Sequence, residues 1–233
     1  MTLTLLLAAV LAQAGGQEPA KDAFQPEPGW KSLGTNLWFD PAARRVVVRA
    51  RVALREGPLE HLLCLKGTKE HESVLATDAP ARAIHAAILL TGAEKGSTVR
   101  FRPAFVPPKG TPMAIELSWV EDGKSKTANA RSWIKDLKSG GTLETDWVFT
   151  GSELWQDPDS KRMIYGADDG DLITVVNFPS SLLDLPFASS DQDANRTFEA
   201  NTAAIPKEGT FVLMFLKPRD IKPANSKKAR PTP

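Results

Sequence analysis

The sequence predicts an α+β fold that is predominantly antiparallel β, with one clear helix at about residues 78–91 and one or two short helical turns. Two patterns carry this prediction. Short apolar runs recur along the chain between clusters of Gly, Pro, Asp and Ser, which is typical of β-strands joined by turns. One longer stretch instead has an alanine-rich apolar body between a Pro and a Gly, which is typical of a helix.

Length and charge fit one globular domain. The chain has 233 residues, of which 42% are hydrophobic, so it can bury a sizeable core. With 29 Lys and Arg against 28 Asp and Glu, the formal net charge of +1 gives no field to attract a nucleic acid. We therefore expect no nucleic-acid partner. Beyond the first dozen residues no apolar run approaches the roughly 20 residues of a membrane-spanning helix, so we expect no transmembrane segment in the mature form.

The N-terminus has the pattern of a signal peptide. An apolar stretch at residues 3–11 is followed by Ala12, Gln13 and Ala14, the small-x-small pattern that signal peptidase accepts, although no Lys or Arg precedes it. We expect cleavage after residue 14 and export to the periplasm or the extracellular space. Residues 15–29 are predicted to be a flexible linker. The alternative is that residues 1–14 form a buried helix or strand.

The predicted domain covers residues 30–217, and its clearest strand lies at residues 44–56. Apolar and basic residues alternate there, which predicts a half-buried strand with a row of arginines on its outer face. Such a row could bind phosphate, but it is more often the solvated face of a strand. Gly57 and Pro58 follow, so that residues 59–66 could return as the second strand of a hairpin.

The helix is predicted from the stretch TDAPARAIHAAILLTG. Thr77 or Asp78 would cap it, Pro80 would lie in its first turn, and Gly92 would end it. Further strands are predicted at residues 97–106, in a pair joined at Asp122 and Gly123, and at 146–155, 163–166, 172–178 and 210–216. The proline-rich, basic residues 218–233 are predicted to be a disordered tail.

One region concentrates residues that bind metals. Cys64, the only cysteine, lies close in the sequence to all three histidines, and Gly67 would let the loop fold back so that Cys64 and His71 reach one ion. His85 in the predicted helix would be the third ligand, and Glu72 could fill the fourth position. This set predicts a zinc or copper site.

Two other interpretations of the same region remain open. The spacing matches no strong metal signature, so Cys64 and His85 could be core residues while His71 and Glu72 bond backbone amides in a loop. Alternatively, Cys64 could be a nucleophile activated by His71. The sequence does not decide whether the protein is an enzyme, but the absence of G-x-S-x-G, P-loop and dinucleotide motifs favours a protein that is not one.

The stretch containing Gly-x-x-x-His-Glu-Ser and the later Asn-Phe-Pro resemble the YdjY-like domain family of exported bacterial proteins. The resemblance covers residues 37–216. It implies export and a single domain, and it implies no mechanism. The family motif falls on Gly67, Lys69, His71, Glu72, Ser73, Asn177, Phe178 and Pro179.

Two further groups were weighed as sites. Asp168, Asp169 and Asp171 lack the alternation and closing Glu of a calcium loop, so we expect a solvated turn before the strand at residues 172–178. Tryptophans could line a groove for a sugar or a peptide, although clustered tryptophans are more often core. The groove candidates are Trp133, Trp147 and Trp155.

From the sequence we expect a non-enzymatic binding or interaction domain that recognises an unknown protein or small molecule outside the cytoplasm. The alternative is a metal-binding or redox protein that uses Cys64, His71 and His85.

Overall fold

A computed structural model of the protein describes residues 24–189 and 197–219. The predicted signal peptide at residues 1–14, the linker up to residue 23 and the tail from residue 220 lie outside the described residues. Phe24, within the predicted linker, packs edge-on against Trp38 with ring centroids 5.2 Å apart. The last residues of that segment therefore lie on the domain.

Within these ranges the chain forms fifteen short strands and one α-helix. The strands are β1 (Lys31–Gly34), β2 (Leu37–Asp40), β3 (Arg45–Val52), β4 (His61–Leu65), β5 (Ser73–Thr77), β6 (Pro112–Glu121), β7 (Lys124–Asn129), β8 (Ile134–Asp136), β9 (Trp147–Phe149), β10 (Leu154–Gln156), β11 (Met163–Tyr165), β12 (Ile173–Thr174), β13 (Leu183–Asp184), β14 (Phe198–Ala200) and β15 (Phe211–Pro218). The helix α1 spans Ala81–Leu90, and short 3-10 turns lie at Glu70–Glu72, Ala130–Trp133 and Gly166–Asp169.

Eight of these strands close into a barrel. Their order around the ring is β3, β15, β6, β9, β13, β12, β4 and β5, and β5 returns to β3, where Ala76 pairs with Arg51. Within this ring only the pairs β4–β5 and β12–β13 are parallel. The prediction of a mainly antiparallel β fold with one helix and short helical turns is therefore confirmed in outline, and the closure of the barrel is new.

Strand β3 shows how the sequence pattern builds the core. Val46, Val48 and Val52 alternate on the inner face and are buried. On the outer face the guanidinium carbon of Arg49 lies 3.7 Å from the ring centroid of Phe211, and that of Arg45 lies 4.2 Å from Phe215. The arginine row is thus not only a solvated face, because its guanidinium groups pack on aromatic rings of β15.

Helix α1 packs on the barrel beside β2 and β3. It buries Ala81, Ile84, Ala87 and Ile88, which are spaced at helical intervals. Neither predicted cap acts as one. The Thr77 hydroxyl donates to the carbonyl of Arg49 at 2.8 Å, and Asp78 pairs with Lys66 at 3.4 Å. No helix within the described residues combines the length and the apolar character needed to cross a membrane.

One predicted strand pairing and one predicted strand differ in the structure. The hairpin predicted between residues 44–56 and 59–66 does not form, because β4 pairs with β5 and β12 instead. After β3 the chain does not turn back along that strand, because Pro58 forms a backbone bridge with Glu199 near the other end of the sequence. Residues 97–106 do not form a strand. Ser97 instead makes an isolated bridge with Lys109, and Arg100 makes one with Val106. The predicted pair joined at Asp122 and Gly123 is present as β6 and β7.

Candidate functional site

The two stretches of the family motif, residues 67–73 and 177–179, come together around His61, the first residue of β4. His61 lies opposite Thr174 of β12 on one side and beside Ser73 of the parallel strand β5 on the other. Backbone hydrogen bonds from Glu60 N to the Glu72 carbonyl (3.1 Å) and from Val175 N to the Glu60 carbonyl (2.8 Å) join the three segments. Residues about 110 positions apart in the sequence are thereby held together.

Asp171 is the centre of a buried polar cluster. Its Oδ1 accepts hydrogen bonds from His61 Nε2 and from Lys69 Nζ, each at 2.8 Å, and its Oδ2 accepts one from the Ser180 hydroxyl. Asp171 is 3% exposed and His61 is fully buried. Burial alone would raise the pKa of Asp171, but the three donors outweigh it and hold that pKa well below its usual range. Asp171 is therefore a buried, ionised carboxylate.

Lys69 supplies the positive charge that balances Asp171. Burial alone would lower the pKa of Lys69, but the hydrogen bond and charge of Asp171, with the charges of Glu72 and Glu60, raise it. The Lys69 ammonium also lies 5.4 Å from the ring centroid of Phe178. On the same ring, His61 stacks with a centroid distance of 5.8 Å and an interplanar angle of 13°. Phe178 of the Asn-Phe-Pro stretch thus packs against both basic side chains of the cluster.

The connection between β4 and β5 carries Lys69 to this position. Because the two strands are parallel, the chain must return from the end of β4 to the start of β5 within a few residues. Gly67 turns the chain with a φ of +82°, in the left-handed region that favours glycine, and its N–H donates to the Glu70 carboxylate. The Thr68 hydroxyl donates to the carbonyl of Leu65 at 2.5 Å. This accounts for the glycine of the motif.

Asn177 fixes the other half of the motif. Its side-chain amide donates to Asp184 Oδ1 at 3.0 Å and to the carbonyl of Leu185 at 3.1 Å, and its side-chain oxygen accepts from Ser189 N at 2.8 Å. Asp184 is fully buried, and its burial raises its pKa to about 7. Asn177 therefore holds the loop whose next residue is Phe178.

Three donor groups at this site lie within reach of one cation. Glu60, His61 and Glu72 each offer a ligand atom, and these atoms lie within 4.8 Å of one another. His61 Nδ1 is buried and has no hydrogen-bond partner. Because the ionised Asp171 can only accept, a neutral His61 ring carries its proton on Nε2 and has a lone pair on Nδ1. A carboxylate behind a histidine in this manner is the usual support of a metal-binding histidine.

The ligand set predicted from the sequence is not assembled. Cys64 is fully buried in β4, and its burial raises the pKa of its thiol. The His71 side chain is 75% exposed, with Nε2 3.7 Å from the Glu72 carboxylate. His85 Nδ1 instead lies 2.7 Å from the Tyr165 hydroxyl. Among the described residues, the group of neighbouring donor atoms includes Glu72 and none of the other three predicted ligands.

The predicted tryptophan groove is not formed either. Trp133 and Trp147 are fully buried in the core, and the Trp147 indole N–H donates to the carbonyl of Thr174 at 2.7 Å. Trp155 lies apart on the β10–β11 hairpin and is 39% exposed. Two of the three side chains therefore serve the barrel core, as large aromatic residues most often do.

From the sequence, Asp171 was considered only as part of a calcium loop, and no site was predicted that contains His61. Asp168 and Asp169 are exposed, as expected of a solvated turn, but Asp171 is buried. A signal was present in the residues that follow it, because Leu172 to Val176 are apolar except for Thr174. A run that is apolar on both faces predicts a strand buried on both sides, and an acidic residue at its start then needs internal partners.

Comparisons with known proteins agree with the resemblance noted in the sequence. A family model described as the YdjY domain matches residues 37–217, a range that contains every residue of the site around Asp171. No curated protein and no solved structure matches the chain.

Proposed function

The chain belongs to the YdjY domain family, and on that premise we propose that it is a non-enzymatic binding domain whose ligand is a divalent transition metal held by Glu60, His61 and Glu72. The observation that carries the proposal is His61 Nδ1. This nitrogen is buried and has no hydrogen-bond partner. The ligand atoms of His61, Glu60 and Glu72 lie within 4.8 Å of one another. An unsatisfied buried acceptor is costly, and a cation would satisfy it.

The formal charges of the site favour a divalent ion. Lys69 and Asp171 balance each other through their 2.8 Å contact. Glu60 and Glu72 add two formal negative charges to this pair, and the charges of both also act on Lys69. A divalent cation would balance the sum of these formal charges. Imidazole nitrogen with carboxylate oxygen is a donor set suited to Zn²⁺, whereas Ca²⁺ and Mg²⁺ prefer oxygen ligands alone.

Binding is favoured over catalysis because the candidate nucleophiles are engaged or buried. The Ser180 hydroxyl donates to Asp171, whose pKa is held well below its usual range, so this carboxylate is too weak a base to activate the hydroxyl. The pKa of the Cys64 thiol is raised by burial, which keeps the thiol protonated and unreactive. The same burial weighs against the alternative in which Cys64 acts as a redox centre.

We propose further that the protein acts in the periplasm or outside the cell. The apolar stretch at residues 3–11 and the Ala12-Gln13-Ala14 pattern support export. Mass spectrometry of the protein purified from an exporting host tests this proposal, and a chain that keeps residues 1–14 would contradict it.

Calorimetric titration with Zn²⁺ tests the metal site. After dialysis against a chelator, the purified protein should bind one Zn²⁺ ion per chain. Glu60→Gln and Glu72→Gln keep the shape of each side chain and remove its charge. Each should weaken binding by at least about tenfold, a loss that even an indirect partner of a metal ligand commonly produces.

The matched controls are the ligands predicted from the sequence. His71→Gln and Cys64→Ala should bind Zn²⁺ as tightly as the unchanged protein, and thermal melting should show that all four variants are folded. Full affinity in both glutamate variants would contradict the proposal. So would a loss in His71→Gln or Cys64→Ala as large as that in Glu72→Gln.

A further inference from the structure

A second surface lies on the segment between α1 and β6. Residues 95–110, here called the arm, run out and back as an antiparallel pair held by two bridges, Ser97 with Lys109 and Arg100 with Val106. Every residue from 100 to 105 is exposed. These residues have the sequence RFRPAF. The arm therefore ends in an exposed tip.

The tip exposes two aromatic rings side by side. Phe101 is 52% exposed and Phe105 is 40% exposed, and their ring centroids lie 6.1 Å apart. Neighbouring exposed aromatic side chains of this kind usually mark an interaction surface. Their exposure in the isolated chain is a cost that a binding partner would remove.

The charges of the arm are all of one sign. Lys95, Arg100, Arg102 and Lys109 are exposed, and the arm contains no Asp or Glu. The whole chain has a formal net charge of only +1, so the positive charge of the arm is local. It would attract a negatively charged partner at short range.

The base of the arm is fixed to the barrel. Gly96 N donates to the carbonyl of Phe149 in β9 at 2.9 Å, and Thr111 N donates to the carbonyl of Glu94 at 3.2 Å. At Gly110 an added Cβ would come 2.0 Å from the carbonyl oxygen of Phe149, so only glycine allows this approach. The barrel therefore presents the tip from a fixed position.

We propose that the arm binds the surface of a membrane that contains anionic phospholipid. Aromatic rings lie favourably at the level of lipid headgroups, and nearby Lys and Arg side chains bind anionic headgroups. The arm combines two exposed rings with four cations and no acidic residue, which is the composition that such a surface selects. Attachment would be peripheral, through the tip alone.

Sedimentation with lipid vesicles tests this proposal. The purified protein should sediment with vesicles made from equal parts of phosphatidylglycerol and phosphatidylcholine, and far less with phosphatidylcholine alone. The double variant Phe101→Ser/Phe105→Ser should lower the partition coefficient at least about tenfold, because it removes most of the buried apolar area. Each of Arg100→Gln and Arg102→Gln should lower it about fivefold, and added salt should weaken binding.

A matched control uses exposed apolar side chains elsewhere. Leu154 and Met163 on the β10–β11 hairpin are 56% and 52% exposed, so Leu154→Ser/Met163→Ser removes similar surface without touching the arm. Its partition should equal that of the unchanged protein. Every variant shares the same N-terminal residues, so any contribution of residues 3–11 is common to all. The proposal is overturned if the phenylalanine variant sediments as the unchanged protein does, if the control loses as much, or if the unchanged protein does not distinguish the two vesicles.

Discussion

At the residue scale, Asp171 and Asp184 are two buried carboxyl groups of one barrel whose pKa values are shifted in opposite directions. Asp171 has three side-chain donors, including the Lys69 ammonium, and its pKa is held well below its usual range. Asp184 has only neutral donors, and its Oδ2 is buried without a hydrogen-bond partner. Its burial therefore dominates and raises its pKa to about 7. The two pKa values differ because the positively charged Lys69 side chain donates a hydrogen bond to Asp171.

Asp184 should make the stability of the protein fall as the pH rises. Its pKa is about 7 in the folded chain and 3.8 in an ordinary setting, so between these values the folded chain holds a proton that the unfolded chain has lost. Rising pH then lowers the free energy of unfolding across this window. Urea denaturation at several pH values between 4 and 7 measures this slope, and Asp184→Asn should flatten it.

The comparison of the unchanged chain with Asp184→Asn isolates this group from others that titrate nearby. His85 acts in the opposite direction, because burial and the charge of Lys95 lower its pKa and make stability rise with pH. Asp171 acts at lower pH, where its protonation removes stability as the pH falls below its ordinary value of 3.8. An unchanged slope in Asp184→Asn would show that Asp184 is ionised in the fold throughout.

At the element scale, the sequence predicted elements with a strong local pattern and failed where partners are distant. The alternation of residues 44–56 predicted β3, and Gly92 marked the end of α1 correctly within two residues. The predicted caps of α1 were wrong, because the N-cap is Pro80 and the Thr77 hydroxyl donates to the carbonyl of Arg49 in β3. The parallel pairing of β4 with β5 was missed because a seven-residue connection gives no sign of it in the sequence.

Helix α1 should depend on its buried face for its contribution to stability. Ile88 is fully buried against the barrel, whereas Leu90, two residues later, is 57% exposed. Ile88→Ala should lower the free energy of unfolding by roughly 2–5 kcal/mol through lost burial and a residual cavity. Leu90→Ala is the control, and it should change stability by less than about 0.5 kcal/mol. Urea denaturation checks both values, and equal losses would mean that α1 does not pack as described.

At the scale of the whole molecule, the candidate site exists because the barrel closes. β4 is held between β5 and β12, and this places Glu60 and His61 beside Glu72 on one side and near Asp171 on the other. The sequence indicated the right region, since Glu72, Lys69 and Phe178 were all in the family motif. It could not supply the proposed ligand set, because Glu60 and His61 lie beside Glu72 only through the parallel pairing of β4 with β5. Spacing along the chain instead favoured Cys64, His71 and His85, which the fold separates.

X-ray absorption spectroscopy of the zinc-loaded protein tests the proposed metal site, because it reports which elements bind the metal. The site formed by Glu60, His61 and Glu72 predicts one tightly bound zinc per chain, with nitrogen and oxygen ligands at about 2.0–2.2 Å and no sulfur. A sulfur ligand at about 2.3 Å would contradict the account, because it would make the buried Cys64, the only cysteine of the chain, a metal ligand.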